Sequence, residues 1–254
     1  MRFWRSFRDL ARAEAWNEWH VAPLMVDVLL ILPWAGALVV GLSRLSPQTF
    51  RFITGEDSIL EWLQFAGYLA GSAGALLVSQ ELQRRRLRTA ASLYLLLALG
   101  LFFIAGEEVA WGQRILGLET PESLRKINRQ EELTVHNISA VQTGFNWLQM
   151  IFGAYGSVGL LWLRSRRQRF GESLEVFTPP LFLVSFFLLL FAFRLFRFTV
   201  YRRSIWTLFE FAEWPESCLA VAVAVFSIIL WRRLRSDEGF APAAPAGLAV
   251  ARTK

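Results

Sequence analysis

A chain of 254 residues that is 54% hydrophobic is more apolar than a water-soluble domain requires, so lipid is the first solvent to consider. Its net charge of +6 gathers in arginine clusters beside apolar runs, which fits membrane topology and anionic headgroups and argues against a nucleic-acid partner. One cysteine, Cys218, excludes an intrachain disulfide, and two histidines exclude a three-histidine zinc site.

Residues 1–22 open the chain with Trp4, Phe7, Leu10, Ala11, Trp16 and Trp19 set among Arg2, Arg5, Arg8 and Arg12. That mixture predicts an amphipathic helix lying in the membrane interface. The first apolar run begins too late for a cleaved signal peptide and reads as a retained anchor. Six spans are predicted, at Leu24–Leu42, Ile59–Gln80, Ala90–Ala110, Ser139–Leu163, Thr178–Phe198 and Ile205–Trp231. Each approaches the roughly 20 residues that a helix needs to cross about 30 Å of hydrocarbon. Barrel alternation is absent, so the expected fold class is all-α: a polytopic transmembrane helical bundle over residues 23–235. The second and fourth spans are rich in small residues, Gly67, Ala70, Gly71, Ala73 and Gly74 in one and Gly153, Ala154, Gly156 and Gly159 in the other, which lets helices approach closely. The Ala/Pro-rich residues 236–254 have little to bury and read as a disordered tail.

Arginines orient the bundle. Arg2 to Arg12, Arg84 to Arg88, Arg164 to Arg169 and Arg232 to Arg235 fall on alternate loops, which places both termini in the cytoplasm of a cell, or bacterial inner, membrane. Arg194, Arg197, Arg202 and Arg203 break the rule by falling on the outer side, beside many acids. Glu56, Asp57 and Glu61 enter the second span, Glu107 and Glu108 end the third, and Glu210, Glu213 and Glu216 begin the sixth, while Glu119, Glu122, Glu131 and Glu132 lie between the third and fourth.

Ionised groups at membrane depth are costly, so such residues are either paired with one another or functional. Helical spacing would put Glu107, Trp111 and Arg114 on one stripe and Glu108 beside it. One carboxylate would then pair with Arg114 and leave the other for proton transfer, or both would belong to a structural salt bridge. Glu210 and Glu213, three apart, are expected to meet Arg194 and Arg197, with Arg202 and Arg203 nearer the loop, in a four-arginine, three-glutamate network between the last two helices. Pro215 either kinks the last helix or opens a fresh one with Glu216 in its first turn. Thr120-Pro121-Glu122 has the capping and Pro signature of a helix start, so the outer loop 111–138 is expected to be ordered.

The string GEEVAWGQRILGLETPE, followed by NRQEELTVHN, resembles an uncharacterised family of bacterial polytopic membrane proteins, with weaker likeness at Glu56-Asp57-Ser58-Ile59-Leu60-Glu61-Trp62-Leu63-Gln64. The likeness covers about an eighth of the chain and implies no activity. It raises the weight of Glu107, Glu108, Trp111, Gln113, Arg114, Asn128, Gln130, Glu132, His136 and Asn137 as site residues. Val109 and Ala110 depart from the isoleucine-serine of that pattern without touching a charged role.

His136 is the histidine of the outer side and is a candidate base or ligand, or a hydrogen-bonded structural residue. Paired Glu-x-x-His motifs of a di-iron bundle are missing, as are the nucleophile elbow, the phosphate-binding loops and His-Glu-x-x-His, so no metal or cofactor is specified. Cys218, His136 and Arg194 share residue types with membrane transpeptidases of the exosortase kind, but their order is different and Cys218 sits in an apolar helix.

Two functions follow. One is an enzyme acting on a lipid or lipid-linked substrate, with Glu107, Glu108 and His136 as catalytic groups and Trp111, Gln113, Arg114, Asn128, Gln130, Glu132, Asn137, Arg194, Arg197, Glu210 and Glu213 holding the substrate. The other is a binding, transport or assembly component in which the same charges form a network or a partner surface. Polar residues gathered at one boundary disfavour a continuous ion path.

Overall fold

The computed structural model describes residues 2–117, 119–122, 133–135, 138–165, 172–201 and 206–236, and its regular structure is helical throughout. Helix α1 (Arg2–Trp19) buries Ala11, Ala15 and Trp19 while Trp4, Leu10 and Trp16 stay exposed, the two-faced pattern of an interfacial helix. Its Arg12 Nε donates to Asp27 Oδ1 at 3.0 Å on α2 (Pro23–Ser43), which gives a carboxylate inside the first apolar run its counter-charge.

A short helix that the hydropathy pattern passes over, α3 (Pro47–Thr54), starts at Ser46, whose hydroxyl accepts from Thr49 N at 3.4 Å, with Pro47 in the first turn. Ser58 starts α4 (Ile59–Arg84) in the same way, and Glu61 Oε2 returns to accept from Asp57 N at 2.6 Å. Helix α5 (Arg88–Glu108) runs antiparallel to α4: the Ser79 hydroxyl donates to Ala91 O at 2.7 Å and that of Ser72 to Ala98 O at 2.8 Å.

After the four-residue α6 (Gln113–Leu116), helix α7 (Ser139–Ala154) widens into a π turn at Tyr155–Gly159 and resumes as α8 (Leu160–Ser165). Helix α9 (Val184–Thr199) lies antiparallel to α7, so close that a Cβ on Gly153 would stand 2.8 Å from Phe191 N. The short α10 (Trp206–Phe211) leads into α11 (Glu213–Arg235), which runs parallel to α4. The small residues of α4 make that contact: a Cβ on Gly67 would lie 2.9 Å from Ala220 Cβ, and one on Gly74 2.8 Å from Ser227 Cβ.

Among the described residues, four helices are long and apolar enough to cross a membrane, at Pro23–Ser43, Arg88–Glu108, Glu175–Thr199 and Thr207–Arg235, which fits an integral membrane protein. α4 and the α7–α8 segment are also long, but Glu61, Gln64, Asn146, Gln149 and many glycines dilute their hydropathy. Apolar side chains point outward on several helices, among them Leu24, Ile31 and Leu38 on α2, Leu96, Leu99 and Phe102 on α5, and Trp147, Ile151 and Val158 on α7 and the π turn. An exposed apolar belt of this size is an interaction surface, compatible with the four membrane-crossing helices.

At the end of the bundle that carries α1, Glu14 is buried and accepts from the Trp19 indole at 3.1 Å and from Leu181 N at 3.3 Å, and it is ion-paired to Arg164. Burial pushes the Glu14 carboxyl above its ordinary range, against the pull of Arg164. Arg233 nearby meets Glu175 at 3.3 Å and lies over the Trp19 ring.

Candidate functional site at the opposite end of the bundle

Helix α5 stops where the chain turns left-handed, with φ of 45° at Ala110, 55° at Trp111 and 77° at Gly112. Backbone in that region cannot continue a right-handed helix, so the expected helical stripe of Glu107, Trp111 and Arg114 is not formed. The reversal instead folds Trp111 back over Gly106, and its indole donates to Glu107 Oε1 at 2.7 Å while its ring meets Phe103 edge-on at 5.5 Å. Glu107 Oε2 accepts from Val135 N at 2.6 Å. Gln113 acts beside it: its amide donates to Thr120 Oγ1 at 2.6 Å and its Oε1 accepts from Leu133 N at 2.6 Å. Buried Glu107 and half-buried Gln113 therefore tie residues 133–135 to the end of α5. Glu122 is helical, as the Thr-Pro-Glu signature predicts. Asn128, Gln130, Glu132, His136 and Asn137 lie outside the described residues, as does the Arg114 side chain.

A second cluster joins α7, α9 and α11. Arg194, buried on α9, donates through Nε to Gln149 Oε1 at 2.8 Å and is ion-paired to Glu216; Gln149 Nε2 donates to Glu216 Oε2 at 3.0 Å. The structure thereby corrects the expected pairing of Arg194 with Glu210 and Glu213. Glu213 accepts from Gln64 Nε2 at 2.7 Å, and Thr54 Oγ1 lies 3.4 Å from Glu210 Oε2. The cause is rotational. Glu213 and Glu216 sit three apart in the first turn of α11, about 60° from one another around the helix, and because α11 packs against both α4 and α9 the first meets Gln64 and the second Arg194. Glu210 belongs to α10, across the turn at Ala212. Pro215 falls within the first turn of α11, which therefore opens a fresh helix rather than a kink. Arg197 is half-buried one turn beyond Arg194.

Glu108, the last residue of α5, lies beside this polar cluster, where α4, α5 and α11 meet. Among the described residues no hydrogen-bond donor meets it, while the charges of Glu216, Glu61 and Glu107 act on it, its own charge acts on Glu213, and Glu108, Glu213 and Glu216 act on the buried Tyr68 phenol. Glu61, Glu108, Glu213 and Glu216, from α4, α5 and α11, thus lie within electrostatic reach of one another, and Arg194 is ion-paired to Glu216. Gln64 is 0% exposed, and its Oε1 has no hydrogen-bond partner. Depth follows from Trp214, whose indole donates to Pro33 O at 2.8 Å, midway along α2. The polar layer thus sits about 15 Å of helix inside the end of α2. No three His, Cys, Asp or Glu side chains converge as a metal-ligand set among the described residues.

The structure brings Glu107, Glu108, Glu210, Glu213 and Arg194 to one end of the bundle together with Gln64, Tyr68, Gln149 and Glu216, which the sequence reading does not mark as site residues. The spacing Glu61, Gln64, Tyr68 along one face of α4 was the available signal. No family model, no curated protein and no solved structure matches this chain.

Proposed function

We propose that this chain is a six-span protein of a bacterial inner membrane, with both termini cytoplasmic, that serves as a binding or transport component through its outer glutamate chamber rather than as an enzyme on lipid. The six-span reading takes α4 and α7–α8 as spans beside the four more apolar helices, since their alternating directions carry the arginine clusters to one side. One observation supports the binding reading above the catalytic one: Glu107 is already occupied by Trp111 and Val135, while Glu108 and Glu213 face each other's charge between α4, α5 and α11. Surplus negative charge at that depth is suited to receiving something positive.

Topology is tested in a Cys218→Ala background. Impermeant thiol reagents are expected to reach Glu119→Cys only from outside and Ser165→Cys only from inside; the reverse overturns the orientation. Activity is tested by incubating the purified protein in nanodiscs of total bacterial lipid and following the lipids by mass spectrometry. No new lipid species is expected, and one that appears with wild-type protein and vanishes with Glu108→Gln would replace this reading with the enzymatic one.

A further inference from the structure

The amide of Gln64 identifies what is missing from the chamber. Its Nε2 lies 2.7 Å from Glu213 Oε2 and 3.3 Å from the Glu213 carbonyl oxygen, both acceptors, so the opposite amide orientation would set oxygen against oxygen. Oε1 is therefore the atom left without a donor, inside a side chain that is wholly buried. A buried acceptor with no donor costs free energy unless something satisfies it. Glu108, a carboxylate with no donor among the described residues, lies within electrostatic reach of Glu213, and Arg194 is taken up by Glu216 and Gln149. Both unsatisfied groups are oxygen acceptors, one of them a carboxylate.

We infer that the chamber between α4, α5 and α11 binds a monovalent cation, with Glu108 and Glu213 supplying the charge and the Gln64 amide oxygen a neutral ligand. The inference deepens the binding reading above and rests on it. Oxygen donors select a hard cation, and the lack of a third convergent carboxylate among the described residues argues for a single positive charge rather than a divalent metal. Sodium and the proton share this chemistry. The groups that act on Glu213 are Glu61 and Gln64 on α4, Glu108 on α5 and Glu216 on its own helix; Glu108, Glu213, Glu216 and Arg194 of α9 all act on Tyr68 of α4, and α2 offers the apolar Pro33 and Gly36 to neighbouring Trp214.

The test uses the full chain in phosphatidylcholine nanodiscs. Melting is measured in NaCl, KCl and choline chloride at matched ionic strength, and infrared difference spectra follow carboxyl bands through a pH titration in sodium-free buffer. A saturable stabilisation by NaCl over choline chloride, lost in Glu213→Gln and Glu108→Gln, identifies sodium. A protonated-carboxyl band that titrates in wild type, vanishes in either variant and is indifferent to sodium identifies the proton. Gln64→Leu is expected to weaken the sodium response and leave the proton band. If Glu213→Gln does not fold, Glu108→Gln carries the same comparison. Neither response in wild type, or unchanged responses in the variants, overturns the inference. New lipid species in the nanodisc assay would overturn the binding reading by itself, so the two failures are separable.

Discussion

Glu107 and Val135 are 28 residues apart, yet the Val135 amide donates to the Glu107 carboxylate at 2.6 Å, on the oxygen that Trp111 leaves open. The carboxylate works as a clamp on the segment that follows α5. Glu107→Gln retains one acceptor and turns an NH2 toward a donor, so it is expected to cost about 1.5–3 kcal/mol, the range of a charge-assisted hydrogen bond. Glu108→Gln removes a carboxylate with no described donor and is expected to leave melting in sodium-free buffer unchanged or raised. Equal losses from the two substitutions would contradict this division of roles.

The adjacent pair shows how far the sequence could be read. Hydropathy placed the third span at Ala90–Ala110, within two residues of α5 at either end, because lipid-facing length is a composition-level property. The end of the helix was not legible: Ala110 and Trp111 are not residues that announce positive φ, and the turn is held by Glu107 and Val135 from a distance. The partners of Glu213 and Glu216 were also beyond reach, since they depend on where α11 begins. By contrast, Ser46-Pro47 was a readable helix start that the search for long apolar runs passed over.

The glycines of α4 predict a graded packing response. Gly67→Ala and Gly74→Ala would set a Cβ 2.9 Å and 2.8 Å from α11, and each is expected to cost about 1–3 kcal/mol through overpacking. Gly100→Ala on α5 has nothing within 4 Å and is expected to be neutral or stabilising by up to about 1 kcal/mol. Detergent melting of the three variants in parallel checks the order, and a loss at Gly100 as large as at Gly67 would refute it.

Glu14 supplies a pH dependence at the other end. Its folded-state value is raised, chiefly by burial, so the folded chain holds that proton more tightly than the unfolded one. The resulting stability is complete below the ordinary glutamate value, about 4.5, and is lost as pH rises through the folded value. Glu14→Gln cannot titrate and is expected to flatten the melting temperature between about pH 4 and pH 7 relative to wild type. An identical slope in both proteins would exclude Glu14 as its source.

Arg194 gives the sharpest prediction, because it is buried and its guanidinium serves Gln149 and Glu216 on two other helices. Arg194→Met leaves the Glu216 carboxylate without its counter-charge at membrane depth, which is expected to cost about 3–5 kcal/mol and to prevent accumulation of the protein. Arg194→Lys keeps the charge but not the two-pronged donor, so an intermediate loss is expected. Combining Arg194→Met with Glu216→Gln removes both charges and leaves two amides facing one another, so the double variant should recover most of the yield and melting temperature lost by the single one. Expression and melting of wild type, Arg194→Met, Glu216→Gln and the double variant form a cycle that isolates the pair. If Arg194→Met alone accumulates and melts like wild type, Glu216 is balanced by something other than Arg194, and the chamber holds its negative charge by a different arrangement.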